Sequence, residues 1–146
     1  MPKLPKTLQS AMTDNAENDD GGGFTLFKGG YHRVHMSTVK IVPKKGGQVA
    51  DQIEIDWKAD EGPNKGKEIR HWISMSSKAA FKVCELFDAY GYTYDSDLDE
   101  LQGDGGTVII EVSNELQAVG KNAGKIGHRV ESVHPDDGEL AALVLT

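Results

Sequence analysis

The sequence predicts a mainly β domain of five strands, with one α-helix between the third and fourth strands. Two segments that alternate apolar and polar residues, Gln48–Trp57 and Glu68–Met75, flank a polar turn, as expected of a long antiparallel hairpin. An apolar stripe at helical spacing follows over Ser76–Tyr90, which indicates an amphipathic helix. The β-branched run Thr107–Val112 comes next and is typical of a buried strand.

The chain divides into three parts. Residues 1–23 are polar and end in three glycines, so we expect a flexible arm that cannot bury enough surface to order itself. Residues 24–135 carry the folded domain, and residues 136–146 form an acidic, then apolar, C-terminal tail. For the tail we consider two alternatives: a free end that recruits partner proteins, or a short helix or strand docked on the domain.

The remaining elements follow in chain order. Tyr31–Val42 predicts the first strand, and its alternation slips near Ser37-Thr38, as a β-bulge or a coiled barrel strand would require. Ser76 or Ser77 is expected to cap the helix, and Gly91 stands where a left-handed residue ends one. The other predicted elements are the turn Pro43–Gly47, the hairpin tip Glu61–Lys67, the acidic loop Tyr92–Gly105 with a helical turn at Asp97–Leu101, the loop Asn114–Gly124 and the strand Lys125–Val133.

The charge is distributed unevenly. The formal net charge is −7, which by itself argues against a nucleic-acid partner. Residues 24–75, however, carry nine lysines and arginines against six acids, a balance of +3, and the acids concentrate elsewhere. No apolar run could span a membrane and no secretory signal is evident. With one cysteine, Cys84, a cytoplasmic location is expected.

Five strands with a helix between the third and fourth are the layout of the oligonucleotide/oligosaccharide-binding (OB) barrel, which binds ligands on strands 2–3 and adjoining loops. A sandwich or an α+β sheet is the alternative. Over residues 24–134 the sequence also resembles single-stranded-DNA-binding-like OB-fold proteins that tailed phages encode among replication and recombination genes. The matching motifs are Phe27-Lys28-Gly29-Gly30-Tyr31, Gly62-Pro63-Asn64-Lys65-Gly66-Lys67 before the strand with Trp72, Leu86-Phe87-Asp88-Ala89-Tyr90-Gly91, and Leu101-Gln102-Gly103.

The resemblance implies binding of single-stranded DNA in the host cytoplasm, with replication or recombination proteins as partners of the tail. Such binding needs cations for phosphates and aromatic faces for bases. Trp72 is the expected stacking residue, because it shares a strand face with Arg70 and Ser74, although packing beneath the helix or arm is an alternative. Trp57 is expected in the core. The predicted nucleic-acid-binding residues are Arg33, Lys40, Lys44, Lys45, Lys65, Lys67, Arg70 and Trp72.

An enzyme is not predicted, and neither a cofactor nor a metal is expected. His32 and His35 should face opposite sides of their strand, and no phosphate-binding loop or nucleophile motif occurs. The alternative function is a protein–protein adaptor on the same barrel without nucleic-acid affinity, which the net charge and the acidic tyrosine loop favour. The sequence leaves the oligomeric state open, with a homo-oligomer as one alternative.

Overall fold

The computed structural model describes residues 26–116 and 126–146. The predicted arm over residues 1–23 and most of the predicted loop Asn114–Gly124 lie outside these residues. The elements are β1 (Gly30–Val42), β2 (Gln52–Ala59), β3 (Glu68–Ser74), a 3₁₀ turn (Ser77–Ala79), α1 (Ala80–Tyr90), α2 (Leu98–Gly103), β4 (Thr107–Leu116), β5 (Ile126–Pro135) and α3 (Gly138–Ala141).

The strands form one antiparallel sheet in the order β3-β2-β1-β4-β5. The predicted mainly β fold, with a helix between strands 3 and 4, is therefore confirmed. The sheet is not closed, because no ladder joins β3 to β5 within the described ranges. Strands β3 and β5 are the two edges of the sheet. A closed barrel, in which these two strands would pair, therefore stays a prediction.

Alternation along the strands produces the core. In β2, Ile53, Ile55 and Trp57 point inward and are almost fully buried, as predicted for Trp57. In β1 the register with β2 shifts between Met36 and Thr38, which confirms the predicted slip at Ser37-Thr38 and agrees with the bulge, one of its two predicted causes. The extra residue lets this 13-residue strand bend, so its first half pairs with β4 and its second half only with β2.

Helix α1 lies across the open side of the sheet, where its side chains bond the edge of β5. Lys82 Nζ donates to the carbonyl oxygen of Glu131 at 2.6 Å. The backbone N–H of Val133 donates to Glu85 Oε1 at 2.8 Å. The helix ends at Gly91, whose φ of 74° is left-handed, as predicted. Polar groups on an unpaired strand edge are thus bonded by a neighbouring helix.

Several predicted boundaries are wrong: β4 continues to Leu116, into the predicted loop, β5 continues to Pro135, and β3 ends at Ser74. The starts of β2 and of the α-helix differ most. Strand β2 begins at Gln52 rather than Gln48, and Val49 projects into solvent from the preceding turn. The α-helix begins at Ala80 after a 3₁₀ turn, so its N-cap position is Ala79 rather than the predicted Ser76 or Ser77, and Ser76 before the turn makes no side-chain cap bond. At β2 the alternation continues past the last residue that pairs with a neighbouring strand, because alternation alone carries no information about pairing.

The C-terminal residues dock on the sheet. Val144 forms a parallel bridge with Tyr31 of β1 and is buried. The backbone N–H of Leu145 donates to the carbonyl oxygen of Tyr31 at 2.8 Å. This part of β1 has no β2 partner, so the tail occupies the vacant edge. Of the two alternatives for the tail, the structure has the docked one.

No helix among the residues that the structure describes has the length and apolar character needed to cross a lipid bilayer.

Candidate functional site

Trp72 lies on the outer face of β3, as the alternation predicts. It keeps 53 % of its surface exposed, so it does not pack beneath the helix. Its indole Nε1 donates to Glu54 Oε1 on the neighbouring strand at 3.1 Å. The hydrogen bond fixes the ring's orientation while the rest of the indole faces solvent. An indole held in this way offers a flat apolar surface to a planar ligand.

The outer face around Trp72 alternates acids and bases. Lys40, Glu54 and Trp72 are cross-strand neighbours, and Asp56 stands opposite Arg70 in the next row. Lys40 Nζ lies 3.1 Å from Glu54 Oε2. Arg70 Nε lies 2.9 Å from Asp56 Oδ1, and its Nη1 lies 3.6 Å from Glu54 Oε1. The two predicted cations are therefore here, but each already has a carboxylate partner.

These pairs shift the acids toward their charged forms. The hydrogen bond from Lys40, followed by that from Trp72, outweighs desolvation and lowers the pKa of Glu54. The hydrogen bond from Arg70, together with one from Thr38, lowers the pKa of Asp56. Both carboxylates stay ionised at neutral pH, so the outer face of β1–β3 is close to electrically balanced rather than basic.

The predicted loop cations are not all brought together. Lys44 and Lys45 are exposed in the turn before β2, and Lys65 is exposed in the hairpin tip after it. Lys67 is partly exposed in the same tip. Because β2 is eight residues long, the two loops stand roughly 25 Å apart along the strand. They flank the Trp72 face from opposite ends instead of leaning over one groove.

Arg33 is engaged elsewhere. Its Nε donates to both carboxylate oxygens of Asp136, at 3.0 and 2.8 Å, and its Nη1 pairs with Glu61. Burial works against the charge of Asp136, but the hydrogen bonds from Arg33 and Thr107 hold its pKa below the ordinary value. Arg33 pairs with two acids, so it links β1 to the C-terminal segment through Asp136 and to the hairpin tip through Glu61. Its predicted role as a phosphate contact is not supported by this arrangement.

The hairpin tip is also fixed rather than free. The side chain of Asn64 is buried, accepting a hydrogen bond from the backbone of Lys28 at 3.0 Å and donating one to the carbonyl of Leu26 at 3.1 Å. Asn64 therefore anchors the tip to the segment before β1. Asn64, one residue of the motif Gly62–Lys67, thus has a structural role. Its bonds also fix the backbone next to Lys65.

A cavity of about 430 Å³ occupies the gap between the two sheet edges, next to Trp72. We call it the seam cavity. Three cations line it, Arg70, Lys82 and Arg129, against one acid, Glu131. The other lining residues come from β3, from the start of the helical region and from β5: His71, Trp72, Ile73, Ser74, Ala79, His128 and Val130.

Two of the cavity's cations are only weakly compensated. Lys82 Nζ is bonded to a backbone carbonyl and makes no ion pair with a carboxylate of the residues that the structure describes. Arg129 is well exposed and reaches Glu131 only at 3.7 Å. Glu131 also accepts a hydrogen bond from Ser113. The seam cavity is therefore the place where positive charge adjoins the exposed indole.

The two histidines of the cavity are kept neutral. Desolvation, followed by the charges of Lys82 and Arg129, lowers the pKa of His71 to about 4. Desolvation also lowers the pKa of His128, whose Nδ1 stands 2.9 Å from the Phe27 backbone N–H. Within residues 26–116 and 126–146, no group of three or more His, Cys, Asp or Glu side chains is placed to hold a metal ion.

Sequence reasoning missed Lys82 and Arg129. Lys82 belongs to the polar side of a predicted helix and Arg129 to a predicted last strand, and each resembles an ordinary surface cation. Only the pairing order, which makes β3 and β5 the two edges of the sheet, brings them to Trp72. The alternation in Lys125–Val133 would have placed Arg129 on a face, but not beside a particular strand.

No protein-family model matches this chain, and no curated protein matches it significantly.

Proposed function

We propose that this protein binds single-stranded polynucleotide, with DNA as the expected ligand, across the outer face of β3 and the seam cavity. The observation that carries this proposal is the position of Trp72. Its half-exposed indole forms one wall of a cavity lined by three cations and one acid. Binding that tolerates any sequence combines an aromatic platform with a basic groove, and the Trp72 surface offers both.

In this mechanism a base stacks on the indole of Trp72. The adjoining phosphates lie near Arg129 and Arg70, with Lys44 and Lys45 near the Gln52 end of β2. Lys40 and Arg70 contribute less than isolated cations would, because their carboxylate partners already compensate them. We therefore expect two or three effective phosphate contacts and a moderate dependence of affinity on salt.

The strand order supports an OB-type fold as the scaffold. A partly open five-stranded barrel with its ligand on strands 2–3 agrees with the sheet order β3-β2-β1-β4-β5 and with α1 between the two edges. Phage or prophage origin and a role in replication or recombination rest on the sequence resemblance alone. Recruitment of partner proteins by the tail would require Val144 and Leu145 to leave Tyr31.

A titration of a labelled oligonucleotide, followed by fluorescence anisotropy at two salt concentrations, tests the proposal. Trp72→Ala should weaken binding by about 1–3 kcal/mol, the usual value of one stacked base. Tyr94→Ala is the matched control, because Tyr94 is a similarly exposed aromatic residue in the acidic loop, away from the seam. Equal loss in both variants, or no binding by the unchanged protein at either salt concentration, would refute the proposal.

A protein–protein adaptor is the second candidate. The observation in its favour is an apolar groove beside α1, bordered by Asp97 and Asp99. An adaptor predicts no affinity for the oligonucleotide at low or high salt. The same titration therefore separates the two functions.

A further inference from the structure

A second surface lies at the end of the sheet where β1 and β2 meet α1. Two adjoining cavities, of about 530 and 300 Å³, share the residues Ile53, Met75, Val83 and Phe87. We call the combined depression the apolar groove. It opens to solvent and leads into the core, since Ile53 and Phe87 are core residues.

The groove exposes more apolar surface than its surroundings. Ile41, Met75 and Tyr94 are each between 45 % and 62 % exposed along its walls. Tyr94 is held over the opening by a hydrogen bond to Asp88 at 2.9 Å and by an edge contact with Phe87. Contiguous apolar surface of this kind marks a place where another segment packs.

The border of the groove is acidic. Asp97 and Asp99 line it, and neither makes an ion pair within the described part of the chain. The one cation on the lining, Lys40, is paired with Glu54. A segment that fits this groove should therefore carry large apolar side chains and positive charge, without acids.

The chain contains one such segment outside the described residues. Residues 1–12 carry Leu4, Leu8 and Met12 together with Lys3 and Lys6, and no acid. The first acid follows only at position 14. This composition complements both the apolar floor and the acidic border of the groove.

The length of chain between the segment and the domain is sufficient. Val39, on the groove wall, lies nine residues along β1 from Gly30, or about 30 Å. Residues 13–25 can span at most about 45 Å when extended. The segment can therefore reach the groove of its own chain.

We propose that residues 1–12 dock in the apolar groove of the same chain, with Leu4 and Leu8 on the Ile53–Phe87 floor and Lys3 and Lys6 against Asp97 and Asp99. This interaction does not rest on the proposed polynucleotide site, although Lys40 borders both surfaces. It would cover the apolar surface that the sheet and α1 leave open.

The single cysteine supplies the test. Cys84 lines the groove and is the only thiol in the chain, so its rate of reaction with N-ethylmaleimide, followed by mass spectrometry of the full-length protein, reports whether the groove is covered. Leu4→Ser/Leu8→Ser should accelerate the reaction about tenfold or more, because each lost leucine removes substantial apolar burial. Thr7→Ala/Gln9→Ala, in the same segment, should leave the rate unchanged.

A second variant tests the charge component. Asp97→Asn/Asp99→Asn should also accelerate labelling, and the unchanged protein should react faster as salt is added, whereas this variant should not. Equal rates in the unchanged protein and in Leu4→Ser/Leu8→Ser would mean that the groove is open to another occupant, and would overturn the proposal. Protection that increases with protein concentration would place the segment in a neighbouring copy, and would overturn docking within one chain.

Discussion

Trp72 and Glu54 face each other across the β2–β3 pair, and the indole N–H donates to the carboxylate at 3.1 Å. The same carboxylate is paired with Lys40 and lies near Arg70. Glu54 therefore orients the ring that would stack with a base and, at the same time, compensates two cations that would approach phosphate. Glu54 thus favours stacking on Trp72, and it weakens the attraction of Lys40 and Arg70 for phosphate.

This double role predicts the effect of Glu54→Gln. The amide oxygen can still accept the hydrogen bond from Trp72, while Lys40 and Arg70 lose a negative partner. We expect tighter oligonucleotide binding at low salt, and a steeper dependence of log affinity on log salt by about one phosphate contact, or roughly 0.7 in slope. A salt series of anisotropy titrations measures both quantities. Glu139→Gln, in α3, removes the same charge from a residue that does not line the seam cavity and should change neither; an unaltered slope in Glu54→Gln would contradict the prediction.

Arg33 is predicted to act on stability rather than on binding. Arg33→Gln removes the paired contacts to Asp136 and the contact to Glu61, and it leaves two carboxylates without their cation. We expect the free energy of unfolding, measured by urea denaturation, to fall by about 1.5–3 kcal/mol. The salt dependence of oligonucleotide binding should stay as it is. Lys45→Gln should give the opposite pattern, with unchanged stability and a smaller salt slope.

The docked tail predicts unequal effects at two glycines of the hairpin tip. Gly62 and Gly66 both have φ above 80°, so an alanine at either position costs about 1–2 kcal/mol of backbone strain. At Gly62 an added Cβ would also lie 2.5 Å from the carbonyl oxygen of Leu145, whereas at Gly66 it would meet nothing within 4 Å. Gly62→Ala should therefore destabilise the protein more than Gly66→Ala.

Thermal unfolding of the two variants measures this difference. Limited carboxypeptidase digestion gives a second readout, since only Gly62→Ala should release the C-terminal residues for faster cleavage. Equal melting temperatures and equal digestion in the two variants would show that the tail does not press on the hairpin tip.

The lowered pKa of His71 predicts that the folded protein loses stability in mild acid. The pKa of this histidine is lowered to about 4 in the folded protein, first by desolvation and then by Lys82 and Arg129, against 6.5 in the unfolded chain. Between these values the unfolded chain binds a proton that the folded protein does not, so stability is complete above pH 6.5 and falls as the pH drops toward 4. The loss over that interval should reach about 3 kcal/mol.

Urea denaturation at several pH values tests this effect. His71→Gln keeps a neutral side chain that can accept the hydrogen bond from Trp57, and it should remove most of the pH dependence between 6.5 and 4. If the variant and the unchanged protein lose stability in parallel over that interval, another group is responsible for the acid sensitivity.

Local patterns predicted most of the fold. Alternation placed Trp57 inside and Trp72 outside, the slip at Ser37-Thr38 located the bulge, and Gly91 located the end of α1. Each of these features depends on neighbouring residues in the chain. The start of β2 was wrong because Val49 continues the alternation but has no strand beside it.

The candidate site was less accessible to sequence reasoning because it depends on distant partners. Arg33 and Asp136 are 103 residues apart, and no local pattern indicates that they pair. Arg129 and Lys82 approach Trp72 only because of the order in which the strands pair. Charge counting gave +3 for residues 24–75 with Glu54 and Asp56 included, but it could not show that these two acids pair with Lys40 and Arg70, which were expected to be available.

The bonds from Lys82 and Glu85 to β5 also affect how copies of this protein meet. An exposed strand edge invites a strand of another molecule to add to the sheet, which is a common first step toward aggregates. Here the carbonyl of Glu131 and the N–H of Val133 are already bonded by side chains of α1. A second molecule would have to displace both before extending the sheet at that point, so the protein can leave its sheet open without templating the growth of fibrils along β5.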